Sequence, residues 1–193
     1  MAEAARRKAT YQDVLDAPEH LVAELIDGEL HLSPRPAKPH AAATSALGEE
    51  LGPPFKRGKG GPGGWIILDE PELHFGSNVL VPDLAGWRRE RMPQLTTELP
   101  YFELAPDWAC AVLSPKNAKM DRTKKLPLYA AAGVSFVWLV DPLARTLEVL
   151  RLAEQKYVIE GGYADDAKVR AIPFDAIELD LSILWADVVL SEG

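Results

Sequence analysis

Two apolar runs in the middle of the chain, residues 79–87 and 107–115, are each bounded by Pro, Gly, Ser or charged residues. Short apolar runs with such boundaries are typical of buried strands. The first run contains a single carboxylate, Asp83, directly after Pro82. An isolated carboxylate is costly to bury unless it is paired or binds a metal. Asp83 is therefore either a turn-capping residue at a strand end or a metal-ligating acid on a central sheet.

The hydrophobic pattern predicts hairpins at both ends of the chain and alternating helices and strands between them. Asp27-Gly28, between two apolar segments, indicates a two-residue turn in the first hairpin. The other predicted elements are helices 11–21, 40–51 and 126–133, strands 65–68, 72–75 and 134–140, a second hairpin from 146–152 and 155–159, and a C-terminal apolar segment 179–189. The expected fold is α/β (α+β), a central mixed sheet flanked by helices with β-hairpins at both ends.

The predicted helix 126–133 contains one helix breaker and one helix stop. Pro127 should bend this helix, at a cost of roughly 3 kcal/mol if it lies deep in the interior. Gly133 is expected at the C-terminal end, where the left-handed conformation favours glycine.

Composition limits the classes to which the protein can belong. Its 193 residues, 47% hydrophobic and 26% charged, fit one soluble domain, with about ten flexible N-terminal residues. The net charge of −8 argues against binding nucleic acid by bulk charge, although a local basic groove stays compatible with it. Cys110 is the sole cysteine, which fits a reducing, cytoplasmic location. No secretory signal and no apolar run of ~20 residues is found, so we expect no membrane span.

A few charged residues have the types that phosphodiester hydrolysis requires. That reaction needs a metal to polarise the phosphoryl group and generate hydroxide, and Mg²⁺ is usually held by one or two carboxylates. A nearby lysine can neutralise developing charge. The candidate acids are Glu24, Asp83 and Asp107, with Lys125 as the candidate base or charge stabiliser. Such a series also arises by chance in many α/β proteins.

Five motifs occur in an order that resembles a known family. They are Glu24-Leu-Ile-Asp-Gly-Glu-Leu, Val81-Pro-Asp-Leu, Val112-Leu-Ser-Pro, Asp121-Arg-Thr-Lys-Lys-Leu-Pro-Leu-Tyr129 with Ala132-Gly-Val134, and Trp138-Leu-Val-Asp-Pro142. Together they resemble the Uma-two family of restriction-endonuclease-like proteins, part of the PD-(D/E)-x-K nuclease superfamily. The resemblance covers about residues 11–185.

The resemblance implies a restriction-endonuclease-like core and a DNA endonuclease that uses Mg²⁺ or Mn²⁺. Double-stranded DNA is the implied substrate and a homodimer the implied assembly. Asp83 matches the first metal-binding acid, assisted by the backbone carbonyl of Val112, and Glu24 matches an accessory active-site acid. His40 matches a histidine at the head of the following helix, where it can equally be a polar residue that starts a helix.

Two positions depart from the family pattern. The second metal-binding acid should precede Val112, but that position is Ala111. Loss of this carboxylate should severely weaken metal binding and catalysis. The chain is therefore either a natural member that has lost activity or one with an engineered replacement of Glu.

The lysine is the second departure, since Leu113 occupies the position of the simple motif. Lys125 matches the displaced lysine of the family. It is otherwise explained as half of a helix surface pair with Asp121, four residues earlier.

Basic segments at 56–59, 88–91 and 116–125 flank the two central strands and could form a phosphate-binding rim. Each alone is also typical of a solvated face. The candidate nucleic-acid contacts are His40, Lys116, Lys119, Arg122 and Lys124. The five tryptophans lie mostly within strand patterns and are assigned to the core or to an interface, and not to base stacking.

The sequence and the resemblance together favour a metal-dependent DNA endonuclease whose catalytic set of Glu24, Asp83 and Lys125 is impaired by Ala111. Two alternatives remain. One is a non-catalytic nucleic-acid-binding module, and the other is a protein-interaction subunit with negligible affinity for DNA at moderate salt.

Overall fold

The computed structural model describes residues 7–189, so most of the predicted flexible N-terminal segment lies outside the described residues. The helices are α1 (Tyr11–Leu15), α2 (Lys38–Leu51), α3 (Ala118–Met120) and α4 (Leu126–Ala132). The strands are β1 (Leu21–Ile26), β2 (Glu29–Pro34), β3 (Trp65–Asp69), β4 (Leu73–Phe75), β5 (Asn78–Leu80), β6 (Leu84–Arg88), β7 (Trp108–Val112), β8 (Phe136–Asp141), β9 (Thr146–Ala153), β10 (Lys156–Ala164), β11 (Lys168–Val169) and β12 (Leu179–Asp180).

A six-stranded mixed sheet forms the centre of the molecule, in the order β10-β9-β8-β7-β6-β3. Strands β7 and β8 are parallel, and the other neighbours are antiparallel. The parallel pair needs a crossover, which is the helical segment 118–132. The predicted mixed sheet with helices is confirmed.

A second sheet, ordered β2-β1-β5-β4, is built largely from the N-terminal hairpin. Its turn has Asp27 at φ 53° and Gly28 at φ 81°. Two positive φ values are those of the primed turns that match strand twist. The hairpin predicted at Asp27-Gly28 is confirmed, and a third, two-stranded sheet pairs β11 with β12.

The run 79–87, predicted as one strand, is divided between the two larger sheets. Strand β5 belongs to the four-stranded sheet and β6 to the six-stranded sheet. Pro82 lacks a backbone N–H for a ladder, while Asp83 donates its N–H to the carbonyl of Cys110 at 3.1 Å. The single-strand prediction was therefore wrong, and Asp83 lies where the chain passes between sheets.

The helical segment 118–132 contains a π-helical turn, Asp121–Lys125, between α3 and α4. Pro127, the second residue of α4, directly follows this π-helical turn. Its missing N–H leaves one carbonyl of the preceding turn without an intrahelical partner. Gly133 ends α4 in the left-handed conformation, as predicted. The helix predicted over 11–21 ends at Leu15. Pro18 disfavours helical backbone at the residue before it.

The central strands of the six-stranded sheet are buried on both faces. Cys110 and Val112 pack towards α2 and the C-terminal segment, whereas Ala109 and Ala111 pack with Tyr129 of α4. All five tryptophans are buried, as predicted. Within residues 7–189 no helix has the length and apolarity to cross a membrane.

Candidate nuclease site

Asp83 is held at the crossing between the sheets by two hydrogen bonds. Its Oδ2 accepts from the backbone N–H of Val112 at 2.7 Å, and its Oδ1 lies 3.0 Å from Nε2 of His40. The side chain is 20% exposed. The turn-capping interpretation therefore does not account for Asp83, whose carboxylate lies beside β7.

His40 projects from the first turn of α2 towards Asp83 and is buried. Burial lowers the pKa of His40, but the hydrogen bond that its ring donates to Asp83 and the neighbouring charges of Asp83 and Asp121 outweigh burial, so the net shift is upward. Within the described residues, Nδ1 has no hydrogen-bond partner. His40 is therefore part of the cluster around Asp83 rather than a polar residue that only starts a helix.

A second cluster lies beside the first and centres on Lys125. Its Nζ lies 2.8 Å from Oε2 of Glu24 and 3.2 Å from Oδ1 of Asp121. The other carboxylate oxygen of Glu24 accepts from the N–H of Val81 at 2.8 Å. All three charged side chains are buried. The predicted surface pair of Asp121 and Lys125 is thus a buried three-residue cluster with Glu24.

The charges in this cluster keep Lys125 protonated. Burial lowers the pKa of Lys125, but the two adjacent carboxylates raise it to a net value above that of free lysine. Burial raises the pKa of Asp121, with further increases from Glu24 and Asp83, and Lys125 opposes them. The two carboxylates therefore favour the protonated, positively charged form of Lys125 in this cluster.

Ala111 faces the side of the sheet on which the helical segment packs. It lies in one apolar cluster with Leu113 and Tyr129. Burial and the charges of Glu24, Asp121 and Asp83 raise the pKa of the Tyr129 hydroxyl. This hydroxyl has no partner among residues 7–189. A glutamate side chain at position 111 would extend from β7 on the same face of the sheet as Tyr129.

One cavity of about 290 Å³ brings the candidate residues together. Its lining includes Glu24, His40, Asp83, Val112, Asp121 and Lys125. Asp121 was not predicted as a site residue, although its four-residue spacing from Lys125 was a signal. Spacing places both on one helix face but does not show that the face is buried.

Asp107, the third candidate acid, lies at the opposite end of β7. It accepts from the N–H of Arg88 at 2.8 Å and pairs with Arg91 at 2.9 Å. It does not line the cavity of Asp83. The expectation that Asp107 belongs to the acid set was wrong, because a five-residue strand separates the two ends.

The candidate nucleic-acid contacts differ in their surroundings. Lys116 lines the cavity of Asp83, and Lys119 is exposed. Arg122 makes two hydrogen bonds with Glu148, and Lys124 lies 3.6 Å from Asp27. Of these four, Lys116 is therefore the best placed to meet a ligand near Asp83.

The donor set around Asp83 is small for a metal site. Within residues 7–189, no group of three or more His, Cys, Asp and Glu side chains is arranged to hold a metal ion. Mg²⁺ is commonly held by one or two carboxylates, with substrate phosphate and water completing its shell. Asp83 and the adjacent backbone of Val112 fit an Mg²⁺ site with a single protein carboxylate. A chain with Glu at position 111 would have two carboxylates there.

Comparison with known proteins identifies relatives that match most of the chain. A family model described as "Putative restriction endonuclease", Uma2, matches residues 9–182. A solved structure titled as a putative nuclease of DUF820 from Anabaena variabilis is 26% identical, with a TM-score of 0.69, and the match covers 92% of this chain and 97% of that one. No curated protein matches the chain. The chain is a member of the Uma2 family of restriction-endonuclease-like nucleases.

Proposed function

We propose that this protein is a metal-dependent endonuclease of double-stranded DNA, impaired by Ala111. The observation that carries the proposal is the single cavity that joins Asp83 to the charged cluster of Glu24, Asp121 and Lys125. An apolar side chain occupies the place of the second acid on the adjacent strand. Nucleases of this class generally use a divalent metal.

Asp83 and the backbone carbonyl of Val112 would hold Mg²⁺ or Mn²⁺. A bound divalent metal would polarise the phosphoryl group and lower the pKa of a bound water. Lys125 would stabilise negative charge that develops on the phosphate. Glu24 and Asp121 hold its ammonium group in a fixed place, so little reorganisation would accompany the reaction.

Ala111 supplies no oxygen ligand, so metal affinity would rest chiefly on Asp83 and on the substrate. Even removal of residues that only orient ligands commonly costs about 10–100-fold in metal affinity or activity. Loss of a ligand itself is expected to cost more. The parent chain should therefore cleave DNA slowly or not at all.

Lys116 and Lys119 would contact phosphates, with His40 close to the scissile group. Arg122 and Lys124 would join them by exchanging their exposed carboxylate partners for DNA. Phosphate contacts position a duplex without reading its sequence. Cleavage of both strands favours a homodimer with two sites, by analogy with nucleases of this class, and we place that dimer in the cytoplasm.

Cleavage of supercoiled plasmid in Mg²⁺ or Mn²⁺ tests the proposal. We expect cleavage by the Ala111→Glu variant, little or none by the parent chain, and none by the Ala111→Glu, Asp83→Ala double variant. Cleavage by the double variant at the rate of Ala111→Glu would show that Asp83 is not the catalytic acid.

A non-catalytic nucleic-acid-binding module is the second candidate. Ala111 and Leu113 favour it, because neither position, one in β7 and the other directly after it, carries the charged side chain of the simple motif. Metal-independent DNA binding, with no cleavage after Glu is restored, would support this candidate.

A further inference from the structure

A second, larger cavity meets the site at Asp83. It has a volume of about 730 Å³ and runs along α2. His40 and Asp83 line both this cavity and the smaller one described above. The two cavities are therefore adjacent at Asp83, and we refer to them together as the cleft and to each cavity as one arm of it.

Cations line both arms of the cleft. Lys56 and Arg57, just after α2, line the larger cavity, and Lys116 lines the smaller one. All three are exposed. Among residues 7–189, none of them has a carboxylate within ion-pairing distance. They are therefore available to an anionic ligand that occupies the cleft.

The carboxylates of the larger arm lie mostly at the end near the site. Asp69 pairs in register with Leu84, the residue after Asp83, and the N–H of Glu70 donates to the carbonyl of Asp83. Glu70 is also neutralised by Arg35 at 3.1 Å. Glu49 is the exception, since it lies on α2 towards Lys56. The arm is thus acidic where a metal would be needed and basic at its other end.

Small side chains of α2 leave room along the larger arm. Ala41, Thr44, Ser45 and Gly48 line it between His40 and Gly52. At about 1.5 Å per residue this part of α2 is roughly 18 Å long. A stacked strand rises about 3.4 Å per nucleotide. The arm can therefore accommodate several nucleotides.

We propose that this cleft holds the backbone of one DNA strand across Asp83, with Lys56 and Arg57 contacting phosphates on one side of the scissile bond and Lys116 on the other. This inference rests on the proposed function and extends it, because it assigns a phosphate subsite to the segment after α2. The rim at 88–91 is not part of it, since Arg88 stacks on Trp65 and Arg91 pairs with Asp107.

Fluorescence anisotropy of a labelled single-stranded oligonucleotide, measured in EDTA over a range of salt concentrations, tests the cleft without requiring catalysis. Each lost phosphate contact should reduce the slope of log K against log salt by about 0.7. We expect a reduction of about 1.4 for Lys56→Ala, Arg57→Ala and about 0.7 for Lys116→Ala. The matched control is Lys59→Ala, because Lys59 is exposed in the same loop but lines neither cavity.

Glu49→Gln should change the affinity for the oligonucleotide in the opposite direction. Removal of its negative charge from the basic end of the arm should tighten binding. The cleft assignment would be overturned if the Lys56→Ala, Arg57→Ala variant bound the oligonucleotide with the affinity and salt slope of the parent chain. It would also be overturned if Lys59→Ala lost as much affinity and slope as that variant.

The cleavage assay separates this inference from the proposed function. If Ala111→Glu cleaves plasmid and the added Lys56 and Arg57 substitutions change neither binding nor cleavage, the cleft assignment fails and the nuclease proposal stands. If the substitutions weaken strand binding as expected but Ala111→Glu never cleaves, the cleft stands and the nuclease proposal fails.

Discussion

Lys125 forms a buried ion pair with Glu24, with 2.8 Å between Nζ and Oε2. This pair joins β1 of the four-stranded sheet to the helical segment that crosses over the six-stranded sheet. Asp121, one helical turn before Lys125, contributes a second buried carboxylate. The same three residues therefore fasten the N-terminal hairpin to the core and place a fixed charge in the cavity of Asp83.

Lys125→Met should destabilise the protein strongly. The substitution keeps much of the side-chain volume but leaves two buried carboxylates without a cation. Removal of one partner from a buried ion pair typically costs about 3–5 kcal/mol. Urea denaturation should show this loss in the free energy of unfolding.

Lys124→Met is the matched control, because Lys124 is exposed and lies 3.6 Å from an exposed Asp27. Lys124→Met should change the free energy of unfolding by no more than about 0.5 kcal/mol. Further substitution of Glu24→Gln and Asp121→Asn into Lys125→Met should recover part of the stability. Equal losses in the free energy of unfolding for Lys125→Met and Lys124→Met would contradict the claim that the buried charge of Lys125 stabilises the fold.

The pKa of His40 should lie above the ordinary histidine value of about 6.5. NMR titration of the imidazole resonances measures this directly. Asp83→Asn should lower the pKa of His40, because it removes the hydrogen-bonded charge that opposes burial.

The raised pKa of His40 also predicts a pH dependence of stability. Protonated His40 binds Asp83 in the folded chain, so its contribution is fully present below pH ~6.5. The contribution is lost as the pH rises through the higher, folded-state pKa. Thermal unfolding should be measured for the parent and for Asp83→Asn across this pH window. The difference between their Tm values should shrink as the pH rises. A difference between them that stays constant with pH would exclude this linkage.

Gly133→Ala should destabilise the end of α4 by about 1–2 kcal/mol, the cost of left-handed backbone for an L-residue. Gly133 has φ 81°, and an added Cβ would meet no atom within 4 Å, so the effect is conformational and not steric. Gly52→Ala is the control, because Gly52 is equally uncrowded at φ −61°. That substitution should be neutral or stabilising, by up to about 1 kcal/mol.

The N-terminal hairpin could be predicted from sequence because its turn is a local property. Asp27 and Gly28 adopt the two positive φ values that such a dipeptide favours. The end of α4 at Gly133 is local in the same sense. The sheet to which a strand belongs is not local, and the run 79–87 divides between two sheets because Pro82 interrupts the ladder.

The candidate site was predictable only in part. Glu24, Asp83 and Lys125 were named from ordered motifs, and they line one cavity. Burial of Asp121 depends on contact with β1, nearly a hundred positions earlier in the chain. Asp107 was misassigned because the apolar pattern of a strand does not tell which of its ends faces a site.

The binding of Mn²⁺, followed by electron paramagnetic resonance, tests the central claim most directly. If Ala111 has removed a metal-binding carboxylate beside Asp83, Ala111→Glu should bind Mn²⁺ at least 10-fold more tightly than the parent chain, and adding Asp83→Ala should abolish the gain. Equal Mn²⁺ affinity in the parent and in a correctly folded Ala111→Glu variant would contradict a metal site at this position.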